Sequence, residues 1–408
     1  MNFSEFITEQ KNTHMTHIED KVIYGGVKGT RDAIMALRSL RDMLGGSHDG
    51  NVSVKWDGAP AIFAGIDPRD GRFFVAKKGI FNKSPKVYKS DADVDADASG
   101  DLADKLKLAL QYLPSLGIKE VIQGDFLFSS QDVKTKKIDG KVYLTFHPNT
   151  IVYAVPAKSE MAKQIKAAKI GIVWHTTYKG KEFESMKASY GVDVSKMKSS
   201  KAVWSQDAML RDMTKYTMSK KETAAVNEYL KKAGFIFNRI AGSTLRQLEK
   251  NQDLAKHIET HSNRYVRAGQ LPPDPKKRVD ALIKFIEDKY KKEIDARKTD
   301  KGKSAQQKKL NDLLAFFSQK NKQSLVQMFE LQKVIVLAKL KLINSLNKLS
   351  NVSTFLKTKK GYRVTGEEGY VAIDKLGGDA VKIVDRMEFS YANFSPDILK
   401  GWDKPGRN

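Results

Sequence analysis

The chain has 408 residues, carries 72 Lys+Arg against 48 Asp+Glu for a net charge of +24, is 40% hydrophobic and contains no cysteine. That length supports two or three domains with an ample core, which excludes disordered and fibrous classes, and the missing thiols exclude disulfide scaffolds, thiolate zinc sites and cysteine nucleophiles. The charge favours a polyanionic partner or surface, while the absence of a long apolar run or a signal-peptide pattern in MNFSEFITEQ reads as a soluble, cytoplasmic protein with no membrane partner.

Residues 1–50 predict a helical lead-in broken at Gly25-Gly26 and Gly29, with Ile34, Leu37, Leu40 and Leu44 at helical spacing and Gly45-Gly46 as its stop. His14, His17 and Asp20 recur every three residues and read as a polar helix start rather than as metal ligands. From 51 to 195 the texture is of strands and turns. VSVKWDGAPAIFAG is β-rich with a Gly-Ala-Pro break, and Arg72–Ala76 is a second strand. A helix is expected over 101–113, then strands at 119–128, 141–155 and 170–178. The aspartates at 93, 95, 97, 101 and 104 read as an acidic loop leading into that helix rather than as a calcium loop, since Ala98 stands where such a loop needs glycine.

Residues 196–355 predict an all-α block. Ser219-Lys220-Lys221-Glu222 has the capping-box pattern, and Leu271-Pro272-Pro273-Asp274-Pro275 is a rigid break. Helices are expected from Val279, around Leu310–Phe317, and along Leu325–Leu349, whose apolar stripe reads as core. His257 and His261 have zinc-compatible i, i+4 spacing, but no Glu follows the first His, so a solvated helix face is expected. Between 271 and 360 there are 22 Lys/Arg against 9 Asp/Glu, and this excess reads as a phosphate track. Residues 356–408 return to strand chemistry at 362–364, 369–373 and 380–384.

Chemistry concentrates in four places. Lys55-Trp56-Asp57-Gly58 ends a strand and enters a turn, where a lysine faces a cleft and becomes a nucleophile once its pKa is lowered. Gly124-Asp125 and Glu368-Gly369 each set a carboxylate beside a glycine on a strand. Lys382 sits on the apolar strand Val381–Val384. A charge on such a strand is costly unless it meets a cleft or a partner.

In this order the features resemble the covalent nucleotidyltransferase superfamily of ATP-dependent DNA and RNA ligases and RNA capping guanylyltransferases. The resemblance covers about 1–190 and 360–395, and the VKWDGAPAIFAG and VKIVDR–EFS strings also resemble a group of large-phage proteins. It implies an α+β fold: a ligase adenylation-like, antiparallel-sheet domain interrupted by an all-α basic insertion. Lys55 is then the nucleophile that takes up the nucleotide, with Asp57 and Gly58 completing its motif as nucleotide-binding residues. Lys77 and Lys78, followed by Gly79, fall where the family contacts the nucleotide. Asp125 and Glu368 are the metal-holding acids, for Mg²⁺ or Mn²⁺. Trp174 takes the place of the aromatic that stacks on the base, His175 replaces the usual Asp, and Lys382 binds phosphate. The function implied is an ATP-dependent polynucleotide ligase that seals DNA or RNA ends, with replication or repair proteins as further partners. Two alternatives stand beside it: a capping guanylyltransferase, and a nucleic-acid-binding protein on an inactive fold. The family's C-terminal oligonucleotide-binding barrel and basic motif VI are not expected, because only about twenty residues follow Arg386.

Overall fold

The computed structural model describes residues 16–46, 51–209, 218–350, 352–373 and 380–402. The first part of the chain forms α1 (Lys21–Tyr24), α2 (Gly26–Leu44), β1 (Asn51–Lys55), β2 (Ala61–Ile66), β3 (Phe73–Ala76), α3 (Asp91–Asp95) and α4 (Gly100–Tyr112). It continues through β4 (Val121–Ser129), β5 (Lys134–Ile138), β6 (Lys141–Phe146), β7 (Ile151–Pro156), α5 (Glu160–Ala167), β8 (Ile170–Lys179), β9 (Lys187–Tyr190) and β10 (Val203–Asp207). Then come α6 (Lys220–Arg239), α7 (Gly242–Lys250), α8 (Gln252–Arg267), α9 (Pro275–Asp295), α10 (Asp300–Leu314) and α11 (Gln319–Asn347). The chain closes with β11 (Ser353–Thr358), β12 (Gly361–Val364), β13 (Gly369–Ile373), β14 (Ala380–Ile383) and α12 (Arg386–Phe394).

The architecture is mixed α+β. Three sheets run β1-β13-β14, β10-β8-β4-β2-β3 with β9 on β8, and β12-β11-β7-β6-β5. All pairings are antiparallel except β10 with β8. The six-stranded and five-stranded sheets face each other across Phe128, Val173 and Trp204 on one side and Phe146, Tyr153 and Leu356 on the other. The outer face of the six-stranded sheet is covered by α4 through Leu106 and Ala109.

Local signals account for the helix ends. Ser219 and Glu222 form the expected capping box of α6, and α9 starts at Pro275 with Asp274 accepting from the Lys276 N–H. Gly29 does not break the lead-in; it lies inside α2, where its bare Cα lets the Lys21 carbonyl pass close by. The acidic stretch does lead into α4, and Ser90 caps the short α3 within it.

Several expected boundaries are corrected. The run 141–155 is two strands, β6 and β7, paired antiparallel around the turn at 147–150. The all-α block is narrower than 196–355: β10 extends the six-stranded sheet and β11 pairs with β7. Nor is this block separate from the lead-in. One core joins Leu37 and Leu40 of α2 to Leu230 of α6, Leu342 and Leu346 of α11, and Val54, Tyr370 and Ile383 of the three-stranded sheet. The apolar stripe of 325–349 is core, as expected, within the single helix α11.

The two histidines of α8 are buried, not solvated. His257 stacks on Tyr290 and His261 packs against Phe285. His14 lies outside the described residues, and Asp20 is buried in an ion pair with Arg386 at 3.0 Å. Beside it Glu19 pairs with Lys339 at 2.8 Å, the two side chains 5% and 1% exposed. This buried network ties the lead-in to α11 and to the start of α12.

Candidate active site

The three-stranded sheet sets the geometry. β1 runs antiparallel to β13 with Lys55 opposite Gly369, and β13 runs antiparallel to β14 with Val371 opposite Lys382. Segments more than 300 residues apart in the chain therefore converge. The Lys55 ammonium donates to Glu368 Oε2, and the two side chains are 32% and 11% exposed, so the pair opens to solvent on one side.

Asp125 comes from the larger sheet, on β4, opposite Val173 of β8. The turn after Lys55 packs directly on it: a Cβ at Gly58 would stand 2.5 Å from the Asp125 Cβ, so only glycine fits there. His175 Nε2 lies 3.9 Å from Asp125 Oδ2, while its Nδ1 meets the Thr176 hydroxyl at 2.7 Å.

Burial and the neighbouring charges shift the protonation of these groups. Burial pushes the Asp125 carboxyl up to about 7, with Glu368 and Asp57 adding to the shift and Lys55 opposing it. Burial likewise raises Glu368 against the pull of Lys55. Lys382 is lowered by burial and then by the Lys55 charge, and its ammonium lies over the Phe389 ring at 5.4 Å. His175 is lowered to about 4 by burial and Lys55, so it is neutral at pH 7.

Asp57 is placed beside this cluster with a different task from the one expected. Its side chain is buried, and Asn149 Nδ2, the Thr150 N–H and the Ile151 N–H donate to its carboxylate at 2.6, 2.6 and 2.8 Å. Its own N–H donates to the Tyr153 hydroxyl at 2.7 Å. The carboxylate holds the Lys55 turn against the 149–153 segment, so Asp57 acts here as a positioning residue.

Trp174 also departs from expectation. Side chains alternate along β8, so Val173 faces the opposing sheet while Trp174 faces α4, fully buried, with its Nε1 donating to Ser205 Oγ at 2.9 Å. It cannot stack on a base there. Lys77 is tied to Asp97 at 2.9 Å and lies near the Tyr88 ring, and Lys78 stands exposed after β3. The ion pair and the ring contact of Lys77 direct it toward the acidic stretch before α4. Sequence reasoning missed Tyr153, Asn149 and Thr150, which hold Asp57 from about 93 residues away. It also missed the role of Arg386, four residues past Lys382, which anchors β14 to Asp20 and Asn263.

Among the described residues no three His, Asp or Glu side chains form a group that could hold a metal ion, and Asp125 and Glu368 are the two carboxylates nearest Lys55 in this cluster.

The family of unknown function DUF6267 matches residues 12–397, so the chain belongs to that family. No curated protein and no solved structure matches it. Among the described residues no helix is long and apolar enough to cross a membrane.

Proposed function

We propose that the protein is an ATP-dependent polynucleotide ligase-like nucleotidyltransferase that works through a covalent lysyl-AMP. The observation carrying this reading is the register of the three-stranded sheet, which sets Lys55, Glu368 and Lys382 close together, with Asp125 packed against the Gly58 turn that follows Lys55.

In this reading Glu368 takes a proton from the Lys55 ammonium through the hydrogen bond they already share. The Lys55 amine attacks the α-phosphorus of ATP; a P–N bond forms, the P–O bond to the β-phosphate breaks, and pyrophosphate leaves with the electron pair. Lys382 stands as a fixed cation beside the reacting phosphate, where a preorganised charge is worth more than in water. A divalent cation held by Asp125 and Glu368 would neutralise phosphate charge. A polynucleotide 5′-phosphate oxygen next attacks the bound AMP phosphorus and frees Lys55. Attack by a 3′-hydroxyl then joins the ends and releases AMP.

A second reading, a nucleic-acid-binding protein on an inactive fold, is favoured by the burial of Trp174 and the engagement of Lys77 with Asp97. Intact-mass measurement after incubation with ATP or GTP and Mg²⁺ or Mn²⁺ separates them. The proposal expects a gain of one AMP that Lys55→Ala abolishes. A GMP adduct instead points to capping, and no adduct with any nucleotide or metal favours the inactive fold.

A further inference from the structure

The β11–β12 hairpin and α12 form a ledge with two properties that coincide. The first is charge. Lys357, Lys359 and Lys360 are exposed at the hairpin and form no ion pair among the described residues. Arg363, on the next strand, donates to Glu388 at 2.9 Å and lays its guanidinium over the Tyr391 ring, 4.6 Å from the centroid.

The second is exposed aromatic area. Tyr391 and Phe394 are 38% and 64% exposed, and, three residues apart on α12, they share a face. Trp402, 57% exposed, ends a segment that packs on the hairpin, where the Leu399 N–H donates to the Lys357 carbonyl at 2.9 Å. Of the exposed aromatic side chains among the described residues, only Tyr190 and Phe235 lie elsewhere. Single exposed rings are ordinary; three beside four cations are not explained by solvation.

The ledge also leads somewhere. A cleft of about 770 Å³ has Arg363, Glu388 and Phe389 of the ledge in its lining together with Glu368, which accepts from the Lys55 ammonium.

We infer that this ledge binds single-stranded polynucleotide, its bases stacking on Tyr391 and Phe394 and its phosphates meeting Lys359, Lys360 and Arg363. Unpaired bases expose π faces that duplex bases hide, and aromatic platforms with basic tracks are the physical solution for holding them. The inference deepens the nucleotidyl-transfer reading by naming a single-stranded end as the substrate, and it rests on that reading only for what becomes of the bound strand.

The test is fluorescence anisotropy, without ATP, of a labelled oligo-dT of about twelve nucleotides. The Tyr391→Ala/Phe394→Ala protein should bind at least tenfold more weakly, with an unchanged thermal midpoint. Lys359→Ala/Lys360→Ala should lower the salt slope of log K by about 1.4, at about 0.7 for each phosphate left unneutralised. Lys55→Ala should bind as the wild type does, so loss of the covalent adduct and loss of strand binding are read separately. Binding of the aromatic variant within twofold of wild type, or equal weakening of duplex and single-strand binding, would overturn the inference.

Discussion

Asp57 gives the sharpest test of how the site is held. In Asp57→Ala the Thr150 and Ile151 N–H groups lose their common acceptor while remaining buried. Each orphaned donor costs about 1–3 kcal/mol, so the loss is roughly 4 kcal/mol in all. Asp57→Asn differs. Both N–H groups bond the same oxygen, Oδ2, which an amide carbonyl can replace, and the Asn149 amide can rotate to accept from the new NH₂. That variant should lose only about 1–2 kcal/mol, from the weaker neutral hydrogen bonds. In urea, with a slope of about 3 kcal/mol/M, Asp57→Ala should lower the unfolding midpoint by about 1.3 M and Asp57→Asn by no more than about half of that. Adduct formation at Lys55 should survive in the Asn protein. An Asp57→Ala midpoint within about 0.3 M of wild type would refute the clamp. So would an Asn protein that folds normally yet forms no adduct, because the carboxylate would then have to act on the nucleotide itself.

Lys339→Met leaves Glu19 buried with Arg386, 3.6 Å away, as its remaining ion-pair partner among the described residues, and should cost about 3–5 kcal/mol. Changing both partners, Glu19→Leu with Lys339→Met, should recover most of that in chemical denaturation. Trp174→Phe should lower stability by core loss yet leave the ATP concentration dependence of adduct formation unchanged; a weakened ATP dependence would return Trp174 to the nucleotide site. The pH dependence follows from His261, held at about 4 by burial, with Arg278 and Arg264 adding. The unfolded chain takes up a proton near 6.5 that the folded chain refuses until about 4, so the contribution is complete above 6.5 and is lost as pH falls from 6.5 to 4. The slope is at most about 1.4 kcal/mol per pH unit, and the difference in slope between wild type and His261→Phe, from urea midpoints at pH 7 and 5, measures it.

Much of the frame was legible because local signals agree with the fold. The Ser219–Glu222 box, the Asp274-Pro275 start and the apolar stripe of α11 each state their structure in a few residues. The convergence of Lys55, Asp125, Glu368 and Lys382 was foreshadowed by charged residues on apolar strands, which need a cleft or a partner. Orientation was less legible. Trp174 and His175 are neighbours, and a strand sends them to opposite faces; nothing in the sequence around them says which face meets Lys55 until β4 and α4 are placed. The Asp57 clamp was hidden for another reason: its partners are two backbone N–H groups and a side chain about 93 residues away, and backbone donors leave no mark on sequence. The burial of His257 and His261 reflects packing of α8 against α9, which turns a face that looks polar into core.

The central claim is that Lys55 is the nucleophile, and the most direct measurement locates the adduct itself. Protein incubated with ATP and Mn²⁺ is digested at mildly alkaline pH, and the peptides are mapped by mass spectrometry. The account predicts a single AMP-bearing peptide whose modified residue is Lys55, with a bond that acid hydrolyses and alkali spares, as a phosphoramide requires. An AMP group on any other side chain, with Lys55 unmodified, would contradict it.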